Sequence, residues 1–176
     1  MLKLIVAHDE NRAIGANNQI PWFLPGELKR VKDITSHTSI PGAMNALIMG
    51  RKTWESLPQN RRPLPGRLNI VLSRSVNDFL WYEGGFFLPS LDAAIDYIND
   101  RSNDIQDGFI FGGEAIYKEA LKRPELSEIL VTKVLATYPG TDTFFPETTG
   151  FVEVKSEPVT YGETRALHQV FKREKS

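Results

Sequence analysis

The sequence predicts an α/β fold: a single domain with a mostly parallel central sheet, helices on both faces of the sheet and an antiparallel strand pair at the C-terminus. Three observations support this prediction. Short apolar runs bounded by turn residues recur along the chain, helical patterns separate most of them, and the last two runs follow each other with no helix between. The 176 residues, 41% of them hydrophobic, suit one domain with a single core.

Six apolar runs have the composition of strands that are buried on both faces. They occupy residues 2–7, 46–49, 69–72, 86–88, 109–111 and 129–134. Helical patterns occupy residues 25–34, 53–57, 91–99 and 114–121, and Ser90 is the expected N-cap of the third helix. This alternation implies right-handed crossovers and parallel strands, whereas residues 151–155 and 166–173 should pair antiparallel. Prolines and glycines predict surface loops at 36–45 and 58–66.

Composition and charge exclude several classes of function. A formal net charge of -1 argues against a nucleic-acid surface or a basic membrane-binding face. The chain has no cysteine, which excludes disulfides, thiolate metal sites and thiol nucleophiles. His8, His37 and His168 stand singly in the sequence, so no metal site is predicted. No apolar run is long enough to span a bilayer or to form a signal peptide, and we therefore expect a cytoplasmic protein.

An acidic residue stands beside apolar side chains near the start of the first predicted helix. Pro21 and Pro25 bracket Trp22 and Phe23, and Pro25 can open a helix that places Glu27 in its first turn. An acid at that position can simply complement the helix dipole. Apolar residues also follow at helical spacing, at Leu24, Leu28 and Val31. A carboxylate beside such a stripe loses hydration and can hydrogen-bond, or exchange a proton, with a polar heterocycle.

Cations follow two of the predicted strands directly. One strand runs through Gly50 into Arg51 and Lys52, which places free amide groups and two cations at a helix N-terminus. Another strand ends in Ser73 and Arg74. An isolated Arg-Lys pair such as Arg51-Lys52 more commonly lies on a turn with both side chains in solvent. Because sequential strands are usually neighbours, we expect the cations to converge into a site for a phosphate group.

A third strand leads through Gly112 and Gly113 into a helix, with glycine where the backbone must approach a ligand closely. Two adjacent glycines are weak evidence alone, and neither G-x-G-x-x-G nor G-x-x-x-x-G-K-[ST] occurs in the chain. The junctions at Gly50 and at Gly112 nevertheless both lie at the carboxyl ends of strands, where open α/β sheets bind ligands.

These segments resemble the dihydrofolate reductase family, in order and in approximate spacing, from Met1 to at least Pro146. The matching blocks are Ile14-Gly15, Ile20-Pro21-Trp22-Phe23-Leu24-Pro25-Gly26-Glu27-Leu28, Ile48-Met49-Gly50-Arg51-Lys52-Thr53-Trp54-Glu55-Ser56-Leu57, Arg62-Pro63-Leu64-Pro65-Gly66-Arg67, Gly112-Gly113-Glu114-Ala115-Ile116-Tyr117 and Asp142-Thr143-Phe144-Phe145-Pro146. The resemblance implies a metal-free monomeric enzyme that reduces 7,8-dihydrofolate with NADPH for one-carbon metabolism, and a target of antifolates. Hydride would pass from the nicotinamide C4 to the pterin C6.

The resemblance also implies roles for individual residues. Glu27 would bind the pterin and assist protonation at N5, Thr132 would support it by a hydrogen bond, and Trp22 would order a water and help to fold a mobile loop. The implied substrate contacts are the apolar residues Ile5, Leu28, Val31, Leu57, Leu64 and Phe111, together with Tyr117 and with Arg67, which would grip the glutamate α-carboxylate of the substrate.

The implied cofactor contacts fall into three groups. Ala7, Ile14 and Ile20 match the nicotinamide pocket. Arg51, Lys52, Thr53, Ser73 and Arg74 match the contacts to the 2′-phosphate and pyrophosphate, and Gly112, Gly113, Glu114, Ala115 and Ile116 match the pyrophosphate helix, which in the family follows a cis Gly-Gly peptide. Gly15, Gly50, Leu72 and Thr143 complete the set.

Three residues depart from the family's pattern. Val31 stands where phenylalanine is common and Phe111 where a small aliphatic residue is usual, so we infer that bulk has moved from one wall of the site to another. Glu114 places an acid at the start of the pyrophosphate helix, where it either points to solvent or weakens NADPH binding. The acid Glu27, in place of aspartate, and the extra length at residues 36–45 are features of eukaryote-like members.

Two alternatives stay open on the sequence. A reductase of riboflavin biosynthesis shares the fold and the NADPH half of the site, although the presence of both Glu27 and Arg67 disfavours it. A non-catalytic NADPH-binding or scaffold protein is the alternative outside the enzymes, disfavoured because the expected catalytic positions are occupied.

Overall fold

A computed structural model describes residues 1–17 and 19–175. The strands in chain order are β1 (Leu2–His8), β2 (Ala13–Gly15), β3 (Met44–Gly50), β4 (Arg67–Leu72), β5 (Leu80–Tyr82), β6 (Gly85–Leu88), β7 (Ile105–Gly112), β8 (Leu126–Val134), β9 (Thr143–Phe144), β10 (Phe151–Tyr161) and β11 (Thr164–Arg173). The α-helices are α1 (Glu27–Ser36), α2 (Arg51–Ser56), α3 (Leu91–Asp100) and α4 (Glu114–Leu121), and Gln59–Arg61 forms a 3-10 turn.

In the described part of the chain, nine strands form one sheet in the order β10-β11-β8-β1-β7-β3-β4-β6-β5. The strands from β8 to β6 in this order are mutually parallel, and β11 and β10 extend the sheet antiparallel beyond β8. This arrangement confirms the predicted parallel centre and C-terminal antiparallel pair. The antiparallel strand β5 at the opposite edge was not expected, because Leu80, Trp81 and Tyr82 are all exposed and show no apolar alternation.

Helices cover both faces of the sheet, as the sequence predicts. Successive strand residues point to opposite faces, so each central strand contributes to two apolar clusters. Leu4, Ile48 and Ile70 pack in the larger cluster under α3 and α4. The smaller cluster contains Leu47 and Val71 and is covered by α1 and α2.

The boundaries of α3 and α4 follow the local sequence closely, whereas α2 begins at Arg51, two residues earlier than predicted. Helix α4 spans the predicted residues, and α3 has the expected cap, in which Ser90 Oγ accepts a hydrogen bond from the Ala93 amide at 3.1 Å. Helix α1 begins two residues later than predicted, because Gly26 precedes it in the left-handed conformation with φ 93. Glu27 is thereby the first residue of the helix.

Some short elements escaped the sequence patterns. Strands β2 and β9 are too short for a period to be visible, and they pair with each other through Ala13 and Phe144. The predicted loop 58–66 contains the 3-10 turn and a cis peptide between Arg62 and Pro63. Among residues 1–17 and 19–175, no helix has the length and apolarity that a membrane crossing needs.

Candidate active site

The candidate site lies where the carboxyl ends of the central parallel strands meet at one edge of the sheet. Ala7 near the end of β1 is the register partner of Thr132 on β8. Gly50 at the end of β3 is the partner of Leu72 at the end of β4. Strand β7, which ends at Gly112, lies between β1 and β3. The fold therefore brings predicted site residues from five strands to the same edge.

The Glu27 side chain is buried against this edge and is held through one of its two oxygens. Its exposure is 8%. Thr132 Oγ1 donates a hydrogen bond to Glu27 Oε1 at 2.6 Å, so the hydrogen bond implied by the family resemblance is present. Arg30 Nη1 lies 3.6 Å from the same carboxylate oxygen and donates to Thr132 Oγ1 at 3.2 Å. The site thus contains a buried acid with a hydroxyl donor and a cation on one side.

The second oxygen of the Glu27 carboxylate faces a tyrosine–histidine pair. Glu27 Oε2 is buried and receives no hydrogen bond from the described residues. His168 Nε2 lies 3.9 Å from Oε2, and the Tyr161 hydroxyl lies 2.5 Å from this nitrogen. Burial and the positive charge of Arg30 lower the pKa of His168. Burial and the nearby Glu27 carboxylate raise the pKa of Tyr161.

Neither His168 nor Tyr161 could be assigned to the site from sequence. His168 belongs to an antiparallel strand more than a hundred residues from Glu27, and only the register that places it opposite Thr132 brings it to the acid. A lone histidine carries no signal of this kind.

Arg67 at the start of β4 is a buried cation with a fixed geometry. Its Nε donates to the Pro65 carbonyl at 3.0 Å and its Nη1 to Thr35 Oγ1 at 2.9 Å. Burial lowers the pKa of Arg67. The Asn69 side chain bonds both the amide and the carbonyl of Leu64, each at 2.9 Å, and fixes the loop that precedes Arg67. Thr35 therefore supports the Arg67 side chain and Asn69 the loop before it, and no sequence pattern singles out either residue.

Most of the predicted apolar substrate contacts pack together in one wall, and one of them, Leu28, is exposed to solvent. Five of the predicted contacts belong to the smaller cluster, which α1 and α2 cover, and form the wall: Ile5, Val31, Leu57, Leu64 and Phe111. Val31 and Phe111, the two departures from the family's pattern, therefore belong to one cluster. Leu28 is 73% exposed on α1. Tyr117 lies behind the wall rather than in it, because its buried hydroxyl donates to the Ile5 carbonyl at 3.0 Å.

Close packing explains two of the glycines at the strand ends, Gly15 and Gly50. A Cβ on Gly15 would lie 2.5 Å from Thr143 Oγ1, and a Cβ on Gly50 would lie 3.3 Å from an Ile116 side-chain carbon. The Gly112–Gly113 peptide is cis, as the resemblance implies, and Gly112 has a φ of 120. Thr53 Oγ1 would lie 3.5 Å from a Cβ on Gly113. Glycine backbone therefore borders neighbouring side chains at the ends of β2, β3 and β7.

The cations beside these glycines are exposed. Arg51 and Lys52 follow the end of β3, and Arg74 follows the end of β4. These two strands are neighbours in the sheet, as the sequence predicts. Arg51 Nε lies 3.6 Å from Glu55 Oε1, and both side chains are largely exposed. The Ser73 amide donates to the Leu88 carbonyl at 2.9 Å and so already has a protein partner.

The acid at the start of α4 has a neighbour of opposite charge. Glu114 Oε1 lies 3.4 Å from Lys118 Nζ one turn along the helix, and the Glu114 side chain is 31% exposed. Lys118 therefore offsets part of the negative charge beside the predicted phosphate contacts. Ala115 is exposed next to it and Ile116 packs against the larger core.

The segment around Trp22 lies beside the acid and its supporting strands. Trp22 is half-buried and its ring centroid lies 5.6 Å from that of Tyr138. It packs with Leu24 and Tyr161 in a small cluster of its own. Ile20 is exposed, whereas Ile14 packs against the larger core.

The turn between β1 and β2 depends on a buried acid that the sequence did not single out. Asp9 Oδ1 accepts hydrogen bonds from the amides of Asn11 and Ala13 at 2.9 and 2.8 Å.

Among the described residues, no group of histidine and acidic side chains has the arrangement of a metal site.

The fold brings glycine-lined strand ends, exposed cations and a buried acid to one end of the parallel sheet. A family model described as dihydrofolate reductase matches residues 1–175. The dihydrofolate reductase of Drosophila melanogaster is 38% identical over 143 residues, covering 81% of this chain and 78% of the relative. That of Bos taurus is 40% identical over 150 residues, covering 83% and 79%. The chain belongs to the dihydrofolate reductase family.

A plant relative has a second activity in its name. The bifunctional dihydrofolate reductase-thymidylate synthase of Daucus carota is 40% identical over 147 residues, which cover 82% of this chain and 28% of the relative. The similarity therefore concerns a minor part of that longer protein.

Proposed function

We propose that this protein reduces 7,8-dihydrofolate to 5,6,7,8-tetrahydrofolate with NADPH, as part of one-carbon and nucleotide-precursor metabolism. The observation that carries the proposal is the arrangement along α1. Glu27 begins the helix, Val31 lies one turn on, and Thr35 near its end holds Arg67. Glu27 and Thr35 are eight residues apart, which is about 12 Å of helix.

This spacing suits an elongated ligand with unlike ends. A carboxylate at one end can accept hydrogen bonds from the N–H groups of an aminopyrimidine-type ring. The wall that contains Val31 and Phe111 can pack against an aromatic middle portion. A guanidinium at the other end can bind a carboxylate with two parallel hydrogen bonds. Dihydrofolate has these three chemical features in this order.

The acid chemistry falls to Glu27. Reduction of the C6–N5 bond requires a hydride at C6 and a proton at N5, and Glu27 is the group we assign to assist that protonation. Thr132 holds the carboxyl group in one orientation through Oε1. Trp22, packed beside this region, is assigned to order a water near the acid and to shield it from bulk solvent.

The strand ends fit a phosphorylated dinucleotide. Gly50 and the Gly112–Gly113 peptide present backbone at a surface where added Cβ atoms would meet neighbouring side chains. Lys52 and Arg74 would pair with the 2′-phosphate that distinguishes NADPH from NADH. Bound NADPH supplies the hydride. Ala7, Ile14 and Ile20 would border the nicotinamide and limit the access of water to the reacting atoms.

We also propose that the protein acts in the cytoplasm, as a monomer of one domain with small-molecule partners. The net charge of -1 supports the lack of a nucleic-acid surface. Light scattering on the purified protein tests the monomer, and a mass of two chains would contradict it.

In the decisive experiment, purified protein is mixed with NADPH and with either dihydrofolate or the aminopyrimidine substrate of riboflavin-pathway reductases. We expect the nicotinamide absorbance to fall only with dihydrofolate, and mass spectrometry to identify tetrahydrofolate. Consumption of the aminopyrimidine alone would favour the riboflavin-pathway alternative. Consumption of neither, with NADPH still bound, would favour the non-catalytic alternative.

A further inference from the structure

One oxygen of the Glu27 carboxylate lacks a hydrogen-bond donor from the described part of the protein itself. Oε2 is buried and has no hydrogen-bond partner among residues 1–17 and 19–175. Burial of a carboxylate oxygen without a donor is costly, so such atoms normally have one. Two side chains that can donate a hydrogen bond lie beside the Glu27 carboxylate. His168 Nε2 is 3.9 Å from Oε2, and the Tyr161 hydroxyl neighbours the same carboxylate.

The direction of the hydrogen bond between Tyr161 and His168 decides whether Tyr161 can donate to Glu27. Tyr161 has one hydroxyl proton, and its oxygen can also accept a hydrogen bond. His168 Nε2 lies 2.5 Å from this oxygen and can act as donor or acceptor, depending on the tautomer. If Nε2 accepted, the only Tyr161 proton would point away from Glu27. If Nε2 donates, that proton is available for Oε2, and all three groups have partners.

We propose that Tyr161 and His168 are positioning residues for Glu27. The His168 Nε2–H donates a hydrogen bond to the Tyr161 oxygen, and this bond directs the Tyr161 proton to Glu27 Oε2. The proposal rests on the proposed function, because it takes Glu27 to be the group that assists protonation of the substrate. Thr132 holds one oxygen of the carboxylate and this pair holds the other.

The charged and titratable groups around the pair come from three elements. Helix α1 contributes Glu27 and Arg30. Strand β10 contributes Tyr161, and Glu157, the register partner of His168. Strand β8 contributes the neutral Thr132, whereas the following residue, Lys133, points to the opposite face and neighbours His8. Burial and the charge of Arg30 lower the pKa of His168, which favours the neutral ring with its single N–H.

The pH dependence of hydride transfer tests the pair. The rate should fall as pH rises, because the reaction consumes a proton. Tyr161→Phe removes the donor to Oε2 and disfavours the carboxylate, so we expect the midpoint of this fall to move up by roughly 0.5 to 1 pH unit. The KM for dihydrofolate should change by no more than about twofold, because Tyr161 acts through Glu27.

Variants of His168 separate a directed hydrogen bond from general packing. His168→Leu should move the midpoint in the same direction by a smaller amount, since Tyr161 keeps its proton but loses the group that directs it. His168→Gln should restore the wild-type midpoint, because the glutamine amide can place an N–H near the position of Nε2. Matched controls are Tyr97→Phe and His37→Gln, which lie outside the site and should leave the midpoint unchanged. Equal shifts in His168→Gln and His168→Leu would overturn the proposal.

A titration of His168 by NMR tests the contact without any turnover. The Glu27 charge favours the protonated imidazole, so Glu27→Gln should lower the titration midpoint of His168, and His37 should not respond. An unchanged His168 midpoint would contradict the proposal even in an active enzyme. If wild-type protein failed to reduce dihydrofolate, the proposed function would fail, while this titration would still decide whether the pair contacts Glu27.

Discussion

The proposed substrate side and the proposed cofactor side of the site are built in opposite ways. On the substrate side the polar groups are buried and held by neighbours: Glu27 by Thr132, and Arg67 by Thr35. On the cofactor side the cations are exposed, and the closely packed part is glycine backbone. We therefore propose that the protein binds its substrate through groups of fixed geometry and attracts its cofactor largely by charge.

This difference predicts how the two sides respond to change. A buried group with fixed partners has no solvent to replace a lost contact, so its removal should be severe and independent of salt. Exposed cations are screened by salt and contribute small, separable increments. The four variants below test this contrast, from the largest expected effect to the smallest.

Replacing the buried acid should have the largest effect. Glu27→Gln keeps the shape of the side chain but removes its ability to donate a proton, so turnover at neutral pH should fall by about 10²- to 10⁴-fold. NADPH affinity, measured by fluorescence titration, should stay within about twofold of wild type, because the residue lies on the substrate side. Glu119→Gln, on the exposed face of α4, is the matched control. Comparable losses of turnover and of NADPH affinity would contradict the division of the site.

Replacing the buried cation should mainly weaken substrate binding. Arg67→Met keeps an unbranched apolar chain but removes the carboxylate partner, so dihydrofolate should bind roughly 30- to 1,000-fold more weakly. A dihydropterin without the glutamate tail tests the assignment, since its binding should be equal in wild type and variant. A similar loss for both ligands would show that Arg67 acts on the fold of the site instead.

Removing two exposed cations should reduce cofactor selectivity moderately. In the double variant Lys52→Ala and Arg74→Ala, the preference for NADPH over NADH should fall by roughly 10- to 100-fold at low salt. The loss should shrink as ionic strength rises, and kcat with saturating NADPH should be unchanged. Lys122→Ala with Lys175→Ala removes the same charge elsewhere. Unaltered selectivity would place the 2′-phosphate at another part of the surface.

Neutralising the acid at the start of α4 should have the smallest effect. Glu114→Gln removes a negative charge near the proposed pyrophosphate contacts, so NADPH should bind about two- to fivefold more tightly. The Lys118 contact already offsets part of that charge, which limits the gain. Calorimetric titration with NADPH measures the change. Weaker binding in the variant would show that Glu114 contributes a favourable contact.

The sequence predicted those parts of the molecule that local patterns determine. The parallel strands are continuous apolar runs, α3 has a serine cap, and the junctions at Gly50 and Gly112 mark the strand ends. The family resemblance then assigned roles to residues at these positions. Glu27 and Thr132 were paired in this way, and the structure contains their hydrogen bond.

The rest depends on register and on exposure, which leave no local pattern. Strand β5 is exposed along its length and so lacks alternation. Thr35 and Asn69 support Arg67 through hydrogen bonds across elements, and polar residues of this kind usually lie at the surface. His168 reaches Glu27 only because β11 pairs with β8 in one particular register.

The central claim is that Glu27 controls the proton that the reaction needs. The most direct test compares the pH dependence of hydride transfer in a single turnover of wild-type protein and of Glu27→Gln. In wild type the rate should fall about tenfold per pH unit above its midpoint, and in the variant it should be low and independent of pH over the same range. The same alkaline fall in both proteins would contradict the assignment of Glu27 as the acid.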